Sequence, residues 1–250
     1  MAALPYKSSE QSKKNQVEEM FDKISPRYDL LNHLLSVNID KVWRKKAIKR
    51  LSVRKPETIL DVATGTADFA IAAMKINPSK VTGIDISEGM LGKGREKVAR
   101  NGWSQKIELV KADSENIPFE DSSFDAAVVG FGVRNFENLE KGLSEILRVL
   151  KPGGFFMVLE FSKPKKTPFR QIFYFYFVKV LPVLGRLISK DKNAYRYLLE
   201  SVNEFPDGDD FIAVLKRVGF GNFSWFPQTF GIASVYEAQK PKTKGEYNNL

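Results

Sequence analysis

The stretch Ile59-Leu-Asp-Val-Ala-Thr-Gly-Thr-Ala-Asp68, with Val81-Thr-Gly-Ile-Asp85 after it, decides the fold. Ile59 to Ala63 is short, mostly apolar and partly β-branched, which reads as a buried parallel strand. The run stops at Thr64-Gly65-Thr66, and after Asp68 a helical pattern covers Phe69 to Lys75. A second buried strand, Val81 to Ile84, ends on Asp85, about twenty residues after the loop, where nucleotide-binding units set an acid against ribose hydroxyls.

The loop lacks the three spaced glycines that let a backbone close round a pyrophosphate at a helix N-terminus, which disfavours a dinucleotide. A nucleoside ligand without phosphates remains, and S-adenosylmethionine fits it. Asp85 would take the ribose, and a loop carrying Asp61 suits a cationic sulfonium and amino group. A plainer reading stays open, in which Gly65 is an ordinary turn and Asp61 and Asp85 are strand-end caps.

On the C-terminal side Ser87 can cap a helix through Arg100, and Ile107 to Ala112 forms a third strand ending at Asp113-Ser114. That pair falls at the same carboxyl edge as Asp85, where open α/β sheets bind ligands and a carboxylate can accept from an adenine amine. A fourth strand, Phe124 to Gly130, leads into Phe131-Gly-Val-Arg-Asn-Phe136. A helix from Leu139 to Leu150 stops at the breaker Lys151-Pro-Gly-Gly154, and Phe155 to Phe161 is a fifth strand with Glu160 near its end. This alternation predicts a doubly wound parallel sheet with right-handed crossovers. Gly219 to Phe226 and Ile232 to Ala238 read as an antiparallel pair at its edge.

Before the first strand, Phe21, Ile24, Tyr28, Leu31, Leu34 and Leu35 have helical spacing interrupted near Pro26, which predicts a helical cap. Asp40 to Leu51 is a basic amphipathic helix with a solvated charged face over a packed one. After the fifth strand an aromatic run, Phe169, Phe173, Tyr174, Phe175, Tyr176 and Phe177, is interrupted by Lys179 and Pro182. It falls short of the ~20 apolar residues of a membrane span. It reads as a subdomain on the sheet's edge that doubles as an apolar lid over a greasy substrate.

The absence of cysteine and the single histidine, His33, exclude a disulfide framework, a thiolate nucleophile and a Cys- or His-ligated metal cluster. Chemistry falls to Asp, Glu, Tyr, Arg and Lys, or to a cofactor. Met1 to Asn15 is polar and basic, which reads as neither signal peptide nor membrane span and predicts a cytoplasmic protein. The net charge of +9 points to nucleic acid or an anionic membrane surface, unless it is simply solubilising.

Phe21-Asp-x-Ile-Ser-x-x-Tyr28-Asp, Leu60-Asp-Val-Ala-Thr-Gly-Thr66, Phe131-Gly-Val-Arg-Asn135, Arg148-Val-Leu-Lys-Pro-Gly-Gly154, Leu159-Glu-Phe-Ser-Lys-Pro164 and Tyr195-Arg-Tyr-Leu-x-Glu-Ser201 occur here in one order. With them the chain resembles the ubiquinone and menaquinone biosynthesis C-methyltransferase family from about Phe21 to Lys240. The resemblance implies the Rossmann-like α/β fold of class I S-adenosylmethionine-dependent methyltransferases, with a helical cap over 1–52, a methyltransferase domain over 53–240 and a helical insertion at about 163–205. A disordered tail is expected over 241–250. The implied reaction is methylation of demethylmenaquinol, with 2-methoxy-6-polyprenyl-1,4-benzoquinol as the alternative acceptor, on the inner face of the membrane and in peripheral contact with it.

By the same resemblance Thr66 and Asp85 bind the cofactor, with Asp113 and Ser114 near the adenine; Asp61, Gly65 and Gly130 complete the expected cofactor set. The family often has Ser where this chain has Gly130, and Gly where it has Thr64 and Ala67. Arg134 is expected to stabilise a developing quinol oxyanion, or else to pair with Glu160; Asn135, Tyr28 and Tyr195 would hold the quinol oxygens. Glu160 or Asp29 would receive the proton. Two rivals are a nucleic-acid methyltransferase and a non-catalytic nucleoside-binding module. The first lacks its Asn/Asp-Pro-Pro-aromatic stretch here, and the retained loop, acids and Arg134 count against the second.

Overall fold

The computed structural model of the chain describes residues 3–29, 38–180 and 192–242. Its sheet has the order β3-β2-β1-β4-β5-β7-β6. The strands are β1 (Thr58–Val62), β2 (Lys80–Asp85), β3 (Ile107–Lys111), β4 (Phe124–Gly130), β5 (Leu150–Phe161), β6 (Gly221–Gln228) and β7 (Ala233–Gln239). β1 to β5 pair in parallel, and β7 runs antiparallel between β5 and β6. The expected doubly wound sheet with an antiparallel edge pair is therefore what forms.

The helices are α1 (Lys13–Ile24), α2 (Ile39–Leu51), α3 (Asp68–Ala73), α4 (Glu88–Arg100), α5 (Leu139–Val149), α6 (Phe169–Phe175), α7 (Lys192–Glu204) and α8 (Asp209–Val218). The two-residue period of β1 sends Ile59 to one core, with Trp43 of α2, Phe69 of α3 and Leu91 of α4. Leu60 and Val62 enter the other core, with Leu143 and Ile146 of α5 and Phe211 and Leu215 of α8. Burial on both faces is why the strand is almost wholly apolar. The order reverses at β1, flanked by β2 and β4, so a crevice opens beyond the carboxyl ends of these strands.

Three expectations change. The fifth strand starts at Leu150, not Phe155: Leu150 pairs with Phe124, the register then slips, and Phe155 pairs with Ala126. Pro152 and Gly153, with φ +77°, fall in this interruption, where a residue without an N–H leaves no ladder bond missing. The cap's first helix starts at Lys13, before Phe21; Ser12 Oγ accepts from Asn15 N at 3.3 Å, and Pro26 falls in a short 3-10 turn after Ile24. Its later residues Leu31, His33, Leu34 and Leu35 lie outside the described residues, as do Pro182, Lys190 and 243–250.

The aromatic insertion is part core and part exposed surface. Phe173 is 2% exposed and packs with Tyr195 and Val202 of α7, whereas Tyr174, Phe175 and Val178 are exposed. No described helix is long and apolar enough to cross a membrane.

Candidate active site

The crevice at the switch point is a cleft of about 680 Å³ including its open mouth, a size suited to a small ligand. Ala63 and Gly65 from the β1 loop, Asp85 from β2, Asp113 and Ser114 after β3, and Gly130 and Asn135 at the end of β4 and beyond it bring sequence-distant groups to one wall. Lys14, Val17 and Phe21 of α1, with Tyr28, close the other side. Sequence reasoning missed Lys14, although a Ser12 cap and apolar Val17, Met20 and Phe21 at helical spacing were there to be read.

Asp85 ties the site together. Its Oδ2 accepts from Gly65 N at 2.8 Å and its Oδ1 from Ser87 N at 2.9 Å. Burial pushes its pKa up to about 6 against the pull of these N–H groups, so it is mainly a carboxylate at neutral pH. Asp113 Oδ2 accepts from Lys14 Nζ at 3.0 Å, and its Oδ1 from Glu115 N at 2.8 Å. Among the described residues, Asp85, Asp113, Glu115 and Glu137 line the cleft against one cation, Lys14. Such a lining suits a neutral or cationic nucleoside and repels phosphate.

Two left-handed residues stand where the β1 and β4 loops meet the cleft, Ala63 at φ +54° and Phe131 at φ +58°. Non-glycine residues in this region mark a backbone held by its surroundings at a functional site. Gly65 is left-handed too, at φ +55°, and a Cβ on it would meet no atom within 4 Å. Gly65→Ala should therefore cost about 1 to 2 kcal/mol of stability from left-handed strain alone. Its methyl would occupy cleft space, so nucleoside affinity measured by calorimetry should fall tenfold or more. Unchanged affinity would mean that the ligand does not lie against this turn.

Several expected residues have other work. Asp61 is fully buried and does not line the cleft: its Oδ2 accepts from Thr64 Oγ1 at 2.6 Å and Ala70 N at 2.9 Å, which shapes the loop from behind. Burial pushes its pKa up to about 7, and its Oδ1 has no partner among the described residues. Thr66 also turns away from the cleft, donating to Asp29 Oδ1 at 2.5 Å and accepting from Lys97 Nζ at 3.0 Å. Asp29 is further paired with Lys97 at 2.6 Å. Gly130 contributes backbone only, because a Cβ there would sit 2.7 Å from Phe69 Cδ2; the hydroxyl frequent in the family has no room in this chain.

Arg134 forms the ion pair that was its alternative reading. Its Nη1 lies 2.9 Å from Glu160 Oε1 and also donates to the Phe131 carbonyl, and both side chains are almost fully buried. Its Nε is buried without a partner among the described residues. Burial raises the Glu160 pKa, with Arg134 and the N–H groups of Phe161 and Arg134 opposing. Neither Glu160 nor Asp29 lines the cleft, so both expected proton acceptors are held in ion pairs behind it.

Of the two expected tyrosines, Tyr28 lines the cleft, and burial pushes its pKa up to about 12, keeping it a neutral donor. Tyr195 does not; it packs with Phe173 and Val202. The tyrosine two positions on, Tyr197, reaches the site instead and donates to Asn135 Oδ1 at 3.1 Å. Helical residues two apart point to opposite sides, so the two rings could not share one pocket.

An acid-lined cleft at the switch point of a seven-stranded sheet with an antiparallel seventh strand is the arrangement of a Rossmann-like methyltransferase fold. An S-adenosylmethionine-dependent methyltransferase of Thermotoga maritima, described as a possible histamine N-methyltransferase, has this fold with a TM-score of 0.64, at 20% identity over 89% of this chain and 99% of its own. The chain matches the model of the ubiE/COQ5 methyltransferase family over residues 9–240 and belongs to that family. Among its relatives, the demethylmenaquinone methyltransferase of Bacteroides fragilis is 49% identical over 94% of this chain and 96% of its own. The ubiquinone/menaquinone biosynthesis C-methyltransferase of Geotalea daltonii is 46% identical over 94% of this chain and 100% of its own.

Proposed function

We propose that this chain binds S-adenosylmethionine in the cleft and methylates a ring carbon of demethylmenaquinol. The observation that carries the reading is the acidic lining with Asp85 at its centre, in a member of this family. The relatives named demethylmenaquinone methyltransferase support the naphthoquinol as acceptor. Asp85 takes the ribose hydroxyls, Asp113 and Ser114 face the adenine, and Gly65 and Gly130 offer backbone against the ligand.

When bound, the cofactor supplies an electrophilic methyl group on a sulfonium. The chain's part is position and charge. Loss of a quinol hydroxyl proton raises electron density at the neighbouring ring carbon, and Tyr28, a neutral phenol, and the amide of Asn135 donate to that oxygen and stabilise its developing charge. One carbon–carbon bond forms as the sulfur–methyl bond breaks; the hydroxyl proton passes to water at the open mouth of the cleft, and the ring carbon then gives its proton to water as the oxyanion regains one, so that one proton is released in all. Holding the partners in line supplies up to about 7 to 11 kcal/mol of the barrier reduction.

Labelled S-adenosylmethionine incubated with demethylmenaquinol and, separately, with the demethylated benzoquinol tests the reading. Label in the naphthoquinol is expected; label only in the benzoquinol would move the substrate to the alternative, and label in neither would reject quinol methylation.

A prenylated acceptor resides in a bilayer, and the contact surface we assign to it is the exposed outer side of α6 and the turn that follows. Phe175 is 64% exposed, Val178 46% and Phe230 66%, and Lys165, Lys166, Arg170 and Lys179 are exposed around them. Each basic residue near an anionic surface adds about 1 kcal/mol, screened by salt. Lys163 is excluded from this role, because its Nζ holds Asp207 at 2.9 Å. Replacing Phe175 and Phe230 with Ser should weaken binding to anionic vesicles about tenfold or more and lower the melting temperature only slightly, through loss of the Phe230 stack on Phe169, since both rings are exposed. Vesicle binding indifferent to both replacements and to salt would remove the membrane from this surface. Phe173 cannot serve in such a test, being core; the Phe177 side chain is outside the described residues.

A further inference from the structure

Asn135 lines the cleft, and its carboxamide has two ends with different fates. The oxygen is taken: Tyr197 donates to it at 3.1 Å from α7. The nitrogen makes no hydrogen bond to any described residue. The assignment of the two ends follows from the tyrosine, because a buried hydroxyl must find an acceptor and Asn135 is the partner this one has. Burial raises the Tyr197 pKa, so the phenol keeps its proton and the direction of the bond does not reverse at any ordinary pH.

The ring of Tyr197 is 1% exposed and packs with Ala3 and with Val17 and Met20 of α1, which fixes it independently of the hydroxyl. On the other side, Asn135 is carried by a short 3-10 turn, Val133–Asn135, after β4. A turn of that kind does not by itself set the rotation of a half-buried carboxamide, whose two ends are equal in size. The hydrogen bond from α7 breaks that symmetry.

We propose that Tyr197 is a positioning residue for methyl transfer: it holds the Asn135 oxygen so that the amide N–H groups face the cleft as donors to the acceptor's ring oxygen. This rests on the reading of the cleft as a quinol methyltransferase site. It also gives the helical insertion a second task, since the helix that buries Phe173 through Tyr195 orients a donor in the site through Tyr197. Without the tyrosine hydroxyl the carboxamide turns over freely, and half of its orientations present an acceptor to the developing oxyanion.

The test is a double-mutant cycle in the full chain with Tyr197→Phe, Asn135→Ala and the pair, read by labelled methyl transfer to demethylmenaquinol and by calorimetric binding of S-adenosylmethionine. Tyr197→Phe keeps the ring and its packing. It should lower kcat about ten- to a hundredfold, the scale of a misplaced reacting group, and leave cofactor affinity and melting temperature close to wild type. In the Asn135→Ala background the same replacement should have no further effect on kcat. Wild-type kcat in Tyr197→Phe, losses that multiply in the pair, or a matching loss of cofactor affinity would each overturn the inference. Inactivity of the wild-type chain toward any quinol would instead reject the functional reading, and this inference with it.

Discussion

Arg134→Ala is expected to destabilise the protein by about 3 to 5 kcal/mol, the cost of leaving one partner of a buried ion pair behind. Glu160 has no exposed surface, and its Oε1 stands 2.9 Å from the Arg134 guanidinium. Its remaining contacts, the N–H groups of Phe161 at 2.8 Å and Arg134 at 3.5 Å, cannot replace a full positive charge. For a chain of this size the loss corresponds to a fall in melting temperature on the order of 10 °C. Removing Arg134 raises the folded-state pKa of Glu160 further above its unfolded value. The folded variant then binds the proton more tightly than the unfolded chain does, so the deficit is greatest at neutral and higher pH and shrinks as pH falls. Adding Glu160→Gln should recover most of the loss. Urea denaturation of the wild type and of these two variants at two pH values checks this. A variant of normal stability with turnover reduced about a hundredfold would return the guanidinium to the substrate.

Asp85→Asn is expected to weaken S-adenosylmethionine binding at least tenfold, because charge-assisted hydrogen bonds to the ribose hydroxyls contribute about 1.5 to 3 kcal/mol each. An acid at the end of a strand lies outside the apolar core, so its replacement need not by itself harm the fold. The structure shows instead that each of its oxygens holds a backbone N–H, of Gly65 and of Ser87, so an amide NH₂ must face one of them. A loss of stability about the size of one buried hydrogen bond, ~1 to 3 kcal/mol, should accompany the loss of affinity.

The pH dependence of the wild type distinguishes the two effects. With its pKa at about 6, Asp85 gains a proton and loses acceptor capacity as pH falls through that value, so cofactor affinity should decline there, and Asp85→Asn should abolish the decline. Stability moves the other way. The folded-state pKa values of Asp85, about 6, and Asp61, about 7, both lie above the ordinary 3.8. The folded state therefore binds more protons between these limits, and stability from this source rises as pH falls from about 7 toward 4. Affinity that is flat from pH 5 to 8 in the wild type would remove Asp85 from the ligand.

Local pattern carried much of this fold. Mostly apolar runs marked β1, β2 and β4 to within a residue or two, because strands buried on both faces admit little else. It failed at Leu150, where Lys-Pro-Gly-Gly looks like an end to regular structure. A parallel neighbour, β4, accepts Leu150 and then Phe155 into one strand across the interruption, and no local signal reports a partner's tolerance.

Spacing from the loop put Asp85 on the cleft wall, and position at the carboxyl edge put Asp113 and Ser114 there, since sheet topology determines which strand ends meet; Asn135 came from the family resemblance. The direction of each side chain was a different matter. Asp61 and Thr66 sit in the right loop yet face its far side, toward Thr64 and Ala70 and toward Asp29 and Lys97. Tyr195 and Tyr197 share a motif, and only packing against α1 decided which of them reaches Asn135. By itself the sequence determined the order of strands and helices and the strand ends that form the cleft, because periodicity and turn chemistry are local. Tertiary structure alone decided which groups in those loops face the ligand and which hold the loops in place, because a side chain turns toward whichever distant partner satisfies its buried charge or hydrogen bond.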